Sequence, residues 1–191
     1  MRRQTPAAIG GFTFVEMAIA MTVFAILLAS VLGIAFETSS FVRDSDNDVS
    51  VILDGNRAAE RFQDILRKSG RVTLGGVSYP RVTGGGAELE LRLLMDVDGN
   101  GYAFDAATGA LEWNGAIFTL RGDASGNLDV YQGGTVVHRL GEHIQNLRFE
   151  TIAENAALAL REVRMVCESR KPTGKGFDAV QTVDVHVHMR N

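Results

Sequence analysis

The chain has 191 residues, which is enough for one membrane helix and one domain of modest size. Its formal net charge of −4 argues against a general nucleic-acid binder, because such proteins need an excess of Lys and Arg to contact phosphates. The chain has one cysteine, Cys167, and this excludes an intrachain disulfide.

The first predicted element is a membrane-spanning helix. The run from Met17 to Phe36 carries no charge, and a helix of about twenty residues rises about 30 Å, which matches the hydrocarbon thickness of a bilayer. Its polar members Thr22 and Ser30 have hydroxyls that can donate to carbonyls of the preceding turn. By the positive-inside rule, Arg2 and Arg3 predict that the segment before the helix stays in the cytoplasm.

One carboxylate, Glu16, comes directly before the uncharged run. An acid at the head of a membrane helix is costly unless it has a partner, so any account of this segment has to explain it. A secretory signal cleaved after the run is one interpretation, with Gly33-Ile34-Ala35 as a small-x-small cleavage site. A plain signal anchor is a second interpretation, but it gives no reason for Glu16.

A third interpretation comes from a resemblance. The junction Gly10-Gly11-Phe12, with Glu16 and the uncharged helix behind it, resembles the prepilin signal of type IV pilins and of the pseudopilins of type II secretion. In that family the leader is cut before the apolar run. The resemblance therefore implies that residues 1–11 are a leader removed after Gly11, that the new Phe12 amine is methylated, and that residues 12–36 remain as a filament core.

The resemblance also implies a role for Glu16. Methylation leaves the Phe12 amine positively charged, so Glu16 of one subunit would pair with the amine of its neighbour. A subunit docked out of register would leave both charges unpaired among apolar side chains. The alternative is that Glu16 only reaches to the cytoplasmic interface.

The second half of the predicted helix, residues 37–70, is polar at first and then amphipathic. One helix is predicted from about Phe12 to Lys68, with Gly70 as its C-cap. Gly33 and Gly55 are its expected weak points, since Gly costs about 1 kcal/mol against Ala inside a helix. The apolar residues that fall at helical spacing are Val49, Ile52, Leu53, Ala59, Phe62 and Leu66.

After Gly70 the apolar period changes to two, which predicts an antiparallel β meander over residues 71–191. The fold class is therefore α+β, a pilin-like long N-terminal helix packed on an antiparallel β-sheet head. Cys167 shares the inner side of a strand with Val163 and Met165, so we expect it to be buried. The predicted strands are Arg71–Leu74, Leu89–Leu93, Tyr102–Phe104, Ala116–Leu120, Leu128–Tyr131, Thr135–Arg139, Ile144–Glu150, Val163–Cys167 and Val183–Met189.

One loop in this head matches the opening of a calcium-binding loop. Asp96, Asp98 and Asn100 stand at the D-x-D-x-N-G spacing, which brings three oxygen ligands together. The acid expected at the end of such a loop is missing, because Ala107 stands there, and this predicts weak affinity. The alternative is a polar hairpin tip, since Asp, Asn and Gly are also turn residues. No other cofactor is expected.

Two further polar groups each leave two interpretations open. Asp184, His186 and His188 share one face of a strand, where the imidazoles either hold a metal or form a solvated face away from the core. The basic segment Arg170–Gly176 either contacts DNA phosphates or is merely solvated. We find no catalytic arrangement of side chains in the sequence, so an enzyme is not expected.

The resemblance implies a minor pilin or pseudopilin, with the J-type pseudopilin and the W-type minor pilin as the nearest likenesses. Such a protein is a single-pass protein of the bacterial inner membrane with a periplasmic head, and later a filament subunit. The implied partners are other pilin or pseudopilin subunits, the prepilin peptidase and the inner-membrane assembly platform. Type II secretion and the type IV pilus stay open as alternatives, and so does a pilus-tip module that captures DNA or secreted cargo.

Overall fold

The computed structural model of the protein describes residues 13–155, 160–172 and 178–189. Within these residues the chain forms one α-helix, one short 3₁₀ turn and ten strands. Helix α1 spans Phe14–Lys68, and the 3₁₀ turn spans Gly84–Gly86. The strands are β1 (Val72–Leu74), β2 (Val77–Tyr79), β3 (Arg81–Thr83), β4 (Glu88–Leu91), β5 (Phe118–Gly122), β6 (Leu128–Gln132), β7 (Thr135–Gly141), β8 (Ile144–Asn155), β9 (Leu160–Pro172) and β10 (Asp178–Met189).

The chain divides into two compact units, Met1–Asp44 and Ser45–Asn191. Helix α1 contributes its first part to one unit and its last part to the other. We call Ser45–Asn191 the folded unit, because it contains all of the described strands. The fold class is α+β, as the sequence predicts.

In the first unit α1 is a helix without a packed face. Every residue from Thr13 to Ser39 is exposed. The hydroxyl of Thr22 donates to the carbonyl of Ala18 at 2.8 Å, and the hydroxyl of Ser30 donates to the carbonyl of Ile26 at 2.9 Å. Both polar side chains are therefore satisfied within the helix, as predicted, which suits a helix in an apolar surrounding.

In the folded unit α1 buries one face, which consists of Val51, Gly55, Ala58, Phe62 and Leu66. The predicted stripe is correct at Phe62 and Leu66. Ala59 is half-buried. The prediction is wrong nearer the start of this unit, where Val51, Gly55 and Ala58 hold the inner positions; the hydrophobicity pattern does not mark Gly55 and Ala58 because they are small. The displaced residues Val49, Ile52 and Leu53 are about half exposed, at 53, 47 and 47%.

Three antiparallel sheets replace the single predicted meander. The largest has the strand order β3-β4-β5-β6-β7, the second has the order β10-β9-β8, and β1 pairs with β2 alone. Strands β2 and β3 were not predicted from the sequence. Residues Tyr102–Phe104 are not a strand: they lie in a loop in which Phe104 makes an isolated bridge with Leu111.

The core lies where α1 meets the two larger sheets. The Phe62 ring stacks on Phe149 with 5.9 Å between ring centroids. Leu89 and Leu120 of the larger sheet and Met165 of the smaller one are fully buried in the same cluster. Residues from separate strands thus close on one helical face, which is the architecture that gives such a domain a single core.

Cys167 is fully buried within this core, as predicted. Burial raises the pKa of its thiol to about 12, because an apolar surrounding disfavours the thiolate.

Two glycines serve close packing, contrary to the predictions for them. A Cβ on Gly55 would lie 2.8 Å from Cγ2 of Val183, so Gly55 lets the helix come close to β10 and is not merely a weak point. A Cβ on Gly70 would overlap the ring of Trp113. The backbone of Gly70 does not have a positive φ, so it is not a left-handed C-cap. The helix ends at Lys68, and the N–H of the next residue, Ser69, donates to the carbonyls of Ile65 and Leu66 at 3.0 and 3.1 Å.

Candidate functional sites

The first candidate site is the apolar surface of α1 before Phe36. Within the described residues α1 is the one helix that is long and apolar enough to cross a membrane or to act as a signal. Its large side chains are exposed in the single chain; Phe14 is 89% exposed and Phe24 is 66% exposed. An exposed apolar surface of this size needs lipid or other proteins around it.

Small residues mark one face of this helix. Ala18, Thr22, Ala25, Ala29 and Gly33 follow one another at steps of three and four residues, and all are exposed. Nothing lies within 4 Å of the place where a Cβ on Gly33 would stand. Faces of this kind let two apolar helices approach closely. Our sequence analysis missed this face, although the spacing of small residues is visible in the sequence.

Glu16 and Thr13 together cap the N-terminal end of α1. Its carboxylate accepts hydrogen bonds from the backbone nitrogen of Thr13 at 2.9 Å and from the Thr13 hydroxyl at 3.0 Å. In return the backbone nitrogen of Glu16 donates to the Thr13 hydroxyl at 3.3 Å. This reciprocal pattern is a capping box, and the spacing Thr-x-x-Glu that signals it was present in the sequence. The predicted processing residues Gly11 and Phe12 lie outside the described residues.

The capping box fixes where the Glu16 carboxylate points. It lies at the N-terminal end of α1, where unpaired N–H groups and the helix dipole favour a negative charge. The chain thus presents an acid at the beginning of its apolar surface, bonded to the residue that directly follows Phe12 in the sequence.

The second candidate site is the loop that begins at Asp96. The carboxylate of Asp96 accepts N–H groups from Gly99, Asn100 and Gly101 at 2.7, 3.1 and 2.8 Å. These bonds, led by the one from Gly101, hold the pKa of Asp96 below its usual value, so this carboxyl is ionised at neutral pH. Asp98 accepts the backbone N–H of Asn100 at 2.9 Å. The loop is therefore folded around its own acids.

Glu112 completes this loop, although the sequence analysis did not include it. One oxygen from each of Asp96, Asp98 and Glu112 can be chosen so that all lie within 4.8 Å of one another. Glu112 thus lies where it could take the place of the acid missing at Ala107. Carboxylate oxygens in this arrangement suit a hard cation such as calcium.

The predicted ligand Asn100 also makes hydrogen bonds within the loop. Its side-chain Nδ2 donates to Asp98 Oδ2 at 2.9 Å and to the carbonyl of Phe104 at 2.7 Å, and its Oδ1 accepts the N–H of Tyr102 at 2.7 Å. The side chain of Asn100 therefore closes the turn.

The basic segment that begins at Arg170 is paired where the structure describes it. Arg170 forms an ion pair with Asp178. Lys171 lies 3.0 Å from the carboxylate of Asp54 and donates to the hydroxyl of Ser50 at 3.0 Å. Both cations therefore have a carboxylate partner within the chain. Residues 173–177 lie outside the described residues.

Comparisons with protein-family models, with curated proteins and with solved structures find no match to this chain. What it shares with pilins is architecture. A long N-terminal helix has an apolar first part, and its last part packs on antiparallel β-sheets.

Proposed function

We propose that this chain is a minor pilin or pseudopilin, a structural filament subunit of a type II secretion or type IV pilus machine. The observation that carries the proposal is the change of character along α1. Its apolar first part is exposed on every side, whereas its last part buries a single face in the folded unit. A filament subunit needs both, because its helix leaves lipid and is then surrounded by the helices of other subunits.

The apolar surface of α1 suits both the membrane and the interior of a filament. Before assembly its large side chains are suited to the hydrocarbon of the inner membrane. In a filament the face that contains Ala18, Ala25 and Gly33 would let a neighbouring helix come close, since small residues permit tight helix contacts. The same surface thus serves two apolar surroundings in turn, without a change of fold.

Glu16 supports a defined register in this proposal. In the single chain Thr13 partners its carboxylate. Within a filament, we propose, the carboxylate pairs with the methylated Phe12 amine of an adjacent subunit. A buried pair of this kind contributes less to affinity than to specificity, because a misplaced subunit leaves two charges unpaired in a region of low dielectric.

The proposed location and partners follow from this role. The chain would sit in the bacterial inner membrane as a single-pass protein with its folded unit in the periplasm, where the prepilin peptidase and the assembly platform act on it. Capture of DNA at a pilus tip is less well supported, because Arg170 and Lys171 are already paired with carboxylates. An enzymatic role is not part of the proposal.

The proposal is tested by following the chain into filaments. A tagged chain would be produced in a bacterium with the cognate machine, filaments would be sheared from the cells, and the tag would be detected by immunoblotting. We expect the chain to co-purify with filaments in the wild-type strain and to stay in the membrane of a strain without the assembly platform. Equal amounts in the sheared fractions of both strains would contradict the proposal.

A further inference from the structure

Strand β10 is an open edge of the smaller sheet. It stands at one end of the strand order β10-β9-β8, and among the described residues no other segment pairs with its second side. It pairs with β9 through twelve consecutive residues without a register shift. In an antiparallel pair every second residue directs its N–H and C=O away from the neighbouring strand, so about half of these residues present unpaired backbone groups. A regular row of this kind is a template for a further strand.

The sequence of β10 lacks the features by which proteins usually block an edge strand. From Asp178 to Met189 it contains no Pro, Lys or Arg. The two other long edge strands that the structure describes are irregular, because register shifts interrupt the pairing of β7 with β6 and of β8 with β9. Such bulges bend and twist a strand out of line with a partner. Of the three strands, β10 is therefore the one that can accept a further strand most readily.

The polar side chains of β10 have their partners on β9. Asp178 forms an ion pair with Arg170, Asp184 forms one with Arg164, and His186 and His188 face Glu162. Nε and Nη2 of Arg164 donate to Oδ1 and Oδ2 of Asp184 at 2.9 and 2.6 Å, which fixes this carboxylate against β9. These contacts hold the side chains towards β9, away from the free side of β10.

Helix α1 provides an apolar flank beside this edge. Ala58, Gly55 and Ile52 are spaced by three residues, and each such step turns about 60° around a helix in the same direction. Ala58 faces Gly141, where a Cβ would lie 2.8 Å from that of Ala58, beside the start of β8. Gly55 faces Val183 of β10 at the same distance. The next step therefore places Ile52, which is 47% exposed, over the free side of β10.

We propose that the open edge of β10 binds an extended segment of another protein, which adds an antiparallel fourth strand to the sheet β10-β9-β8. A row of alternating N–H and C=O groups is matched in spacing by another β-strand, so the partner is a polypeptide in an extended conformation. Apolar side chains at alternate positions of this segment would continue the buried row Val183, Val185 and Val187 and would contact Ile52 of α1.

Strand β9 indicates the chemistry of the segment, because it already pairs with the other side of β10. Its inner side is apolar, and on its outer side Arg164 and Arg170 pair with Asp184 and Asp178. A segment with the same pattern of apolar and basic residues suits the free side, which carries the same β10 side chains. A second copy of β10 suits it less well, because it would place acids beside acids. The inference is independent of the proposed filament function.

The test uses the full chain, purified in detergent, and a synthetic peptide with the pattern of β9. The peptide consists of residues 161–171 with Cys167→Ser and a fluorophore at its N-terminus, and it carries four Lys and Arg against two Glu. Fluorescence anisotropy would measure binding, and amide hydrogen exchange would locate it. We expect saturable binding of one peptide per chain and slower exchange of amides in β10.

Two methylated peptides test whether the backbone carries the binding. N-methyl groups on alternate amides remove donors and leave every side chain in place. One peptide would be methylated at the odd-numbered positions and the other at the even-numbered positions, and only one of these sets can face β10. We expect one of the two peptides to bind at least ~10-fold more weakly than the other. A scrambled peptide without the alternation should also bind at least ~10-fold more weakly than the parent.

Ile52→Ser and Leu53→Ser are a matched pair of variants for the flank of α1. Both side chains are 47% exposed, so we expect both variants to fold, which far-UV circular dichroism will show. Leu53 follows Ile52 by one residue and is therefore turned about 100° further around the helix, away from β10. Ile52→Ser should weaken peptide binding ~5-fold through lost apolar contact, and Leu53→Ser should leave it unchanged.

Four results would overturn the proposal. The first is the absence of saturable binding of the parent peptide, and the second is equal binding of the two methylated peptides. The third is an equal effect of Ile52→Ser and Leu53→Ser. The fourth is a dimer of the chain that forms without peptide and that the peptide dissociates, because this would assign the edge of β10 to a second copy.

Discussion

The carboxylate of Glu16 is bonded to Thr13 of its own chain, through the backbone nitrogen at 2.9 Å and the hydroxyl at 3.0 Å. A lone acid in an apolar helix would otherwise need a partner from another molecule. Because Thr13 partners it within the chain, our proposal lets a single copy enter a membrane before it meets a neighbour. Membrane insertion and filament assembly are therefore separable steps in our account.

This separation predicts the effect of Glu16→Ala. We expect normal insertion into the membrane and a loss of at least ~10-fold in incorporation into filaments, since only the docked state would use the carboxylate to set register. Insertion would be measured by membrane fractionation, and incorporation by immunoblotting of sheared filaments. Ser30→Ala is the matched control, because it removes a polar group that bonds only within the helix and lies off the face of small residues. Normal incorporation of Glu16→Ala would remove the register argument.

The two glycines of α1 predict opposite responses to alanine. Gly55→Ala should destabilise the folded unit by about 1–3 kcal/mol, because the new Cβ would lie 2.8 Å from Val183. Gly33→Ala should leave the folded unit unchanged and favour the helix by about 1 kcal/mol, since nothing lies within 4 Å of its Cβ position. Urea unfolding followed by the fluorescence of Trp113 would measure the first effect. A more stable Gly55→Ala variant would show that β10 and the helix do not pack as described.

The acidic loop predicts weak calcium binding. We expect Tb³⁺ luminescence sensitised by Trp113, which follows Glu112 in the sequence, and displacement of Tb³⁺ by Ca²⁺ with a dissociation constant of about 0.1–1 mM. Glu112→Gln should weaken binding ~10-fold, because it removes the charge of the acid that completes the loop. No luminescence, or no displacement by Ca²⁺, would leave the polar hairpin tip as the better interpretation.

Asp123→Asn is the control for the calcium experiment. Asp123 accepts two backbone N–H groups at 2.8 Å in another turn, in the same manner as Asp96, but it is outside the acidic cluster. Its loss should not change Tb³⁺ luminescence. If Asp123→Asn does change the luminescence, Tb³⁺ binds to surface carboxylates in general and not to the acidic loop alone.

Burial of Cys167 predicts a dependence of stability on pH. Its thiol pKa is raised by burial from about 8.5 when unfolded to about 12 when folded. Between these values the unfolded chain has lost this proton and the folded chain has kept it. Stability contributed by this group is therefore complete below pH ~8.5 and decreases by about 1.4 kcal/mol per pH unit above it.

The measurement for Cys167 is a difference between two proteins. Urea unfolding of wild type and of Cys167→Ala would be compared at several values between pH 8 and pH 10. We expect the two free energies of unfolding to converge as pH rises, because only the wild type loses this contribution. Parallel curves would mean that the thiol is not buried as the structure shows.

The helix of this protein could be predicted from the sequence almost to its ends. An uncharged run followed by an amphipathic pattern predicted Phe12 to Lys68, and α1 spans Phe14–Lys68. The inner face was harder to predict, because Gly55 is buried through its small size and has no hydrophobic side chain to mark it. Pattern analysis reads apolar side chains, and it cannot detect close approach of a backbone to β10.

The site residues that the sequence analysis missed depend on register and on turns. Glu112 joins Asp96 only because the chain reverses between Phe104 and Leu111. Glu162 faces the two histidines only because β9 and β10 pair with His188 opposite Glu162. A shift of that register by one residue would place Glu162 on the other face. Spacing along the sequence therefore identified two of the three residues in each cluster, and the fold supplied the third.

Mass spectrometry of the chain purified from its native membrane tests the central claim most directly. Our account predicts a mature protein that begins at Phe12 with a methyl group on its amine, and a Gly11→Leu variant that keeps its leader. The new amine would then be available to an adjacent Glu16. A native protein that begins at Met1, or one that begins after Ala35 and so lacks the apolar part of α1, would contradict the account.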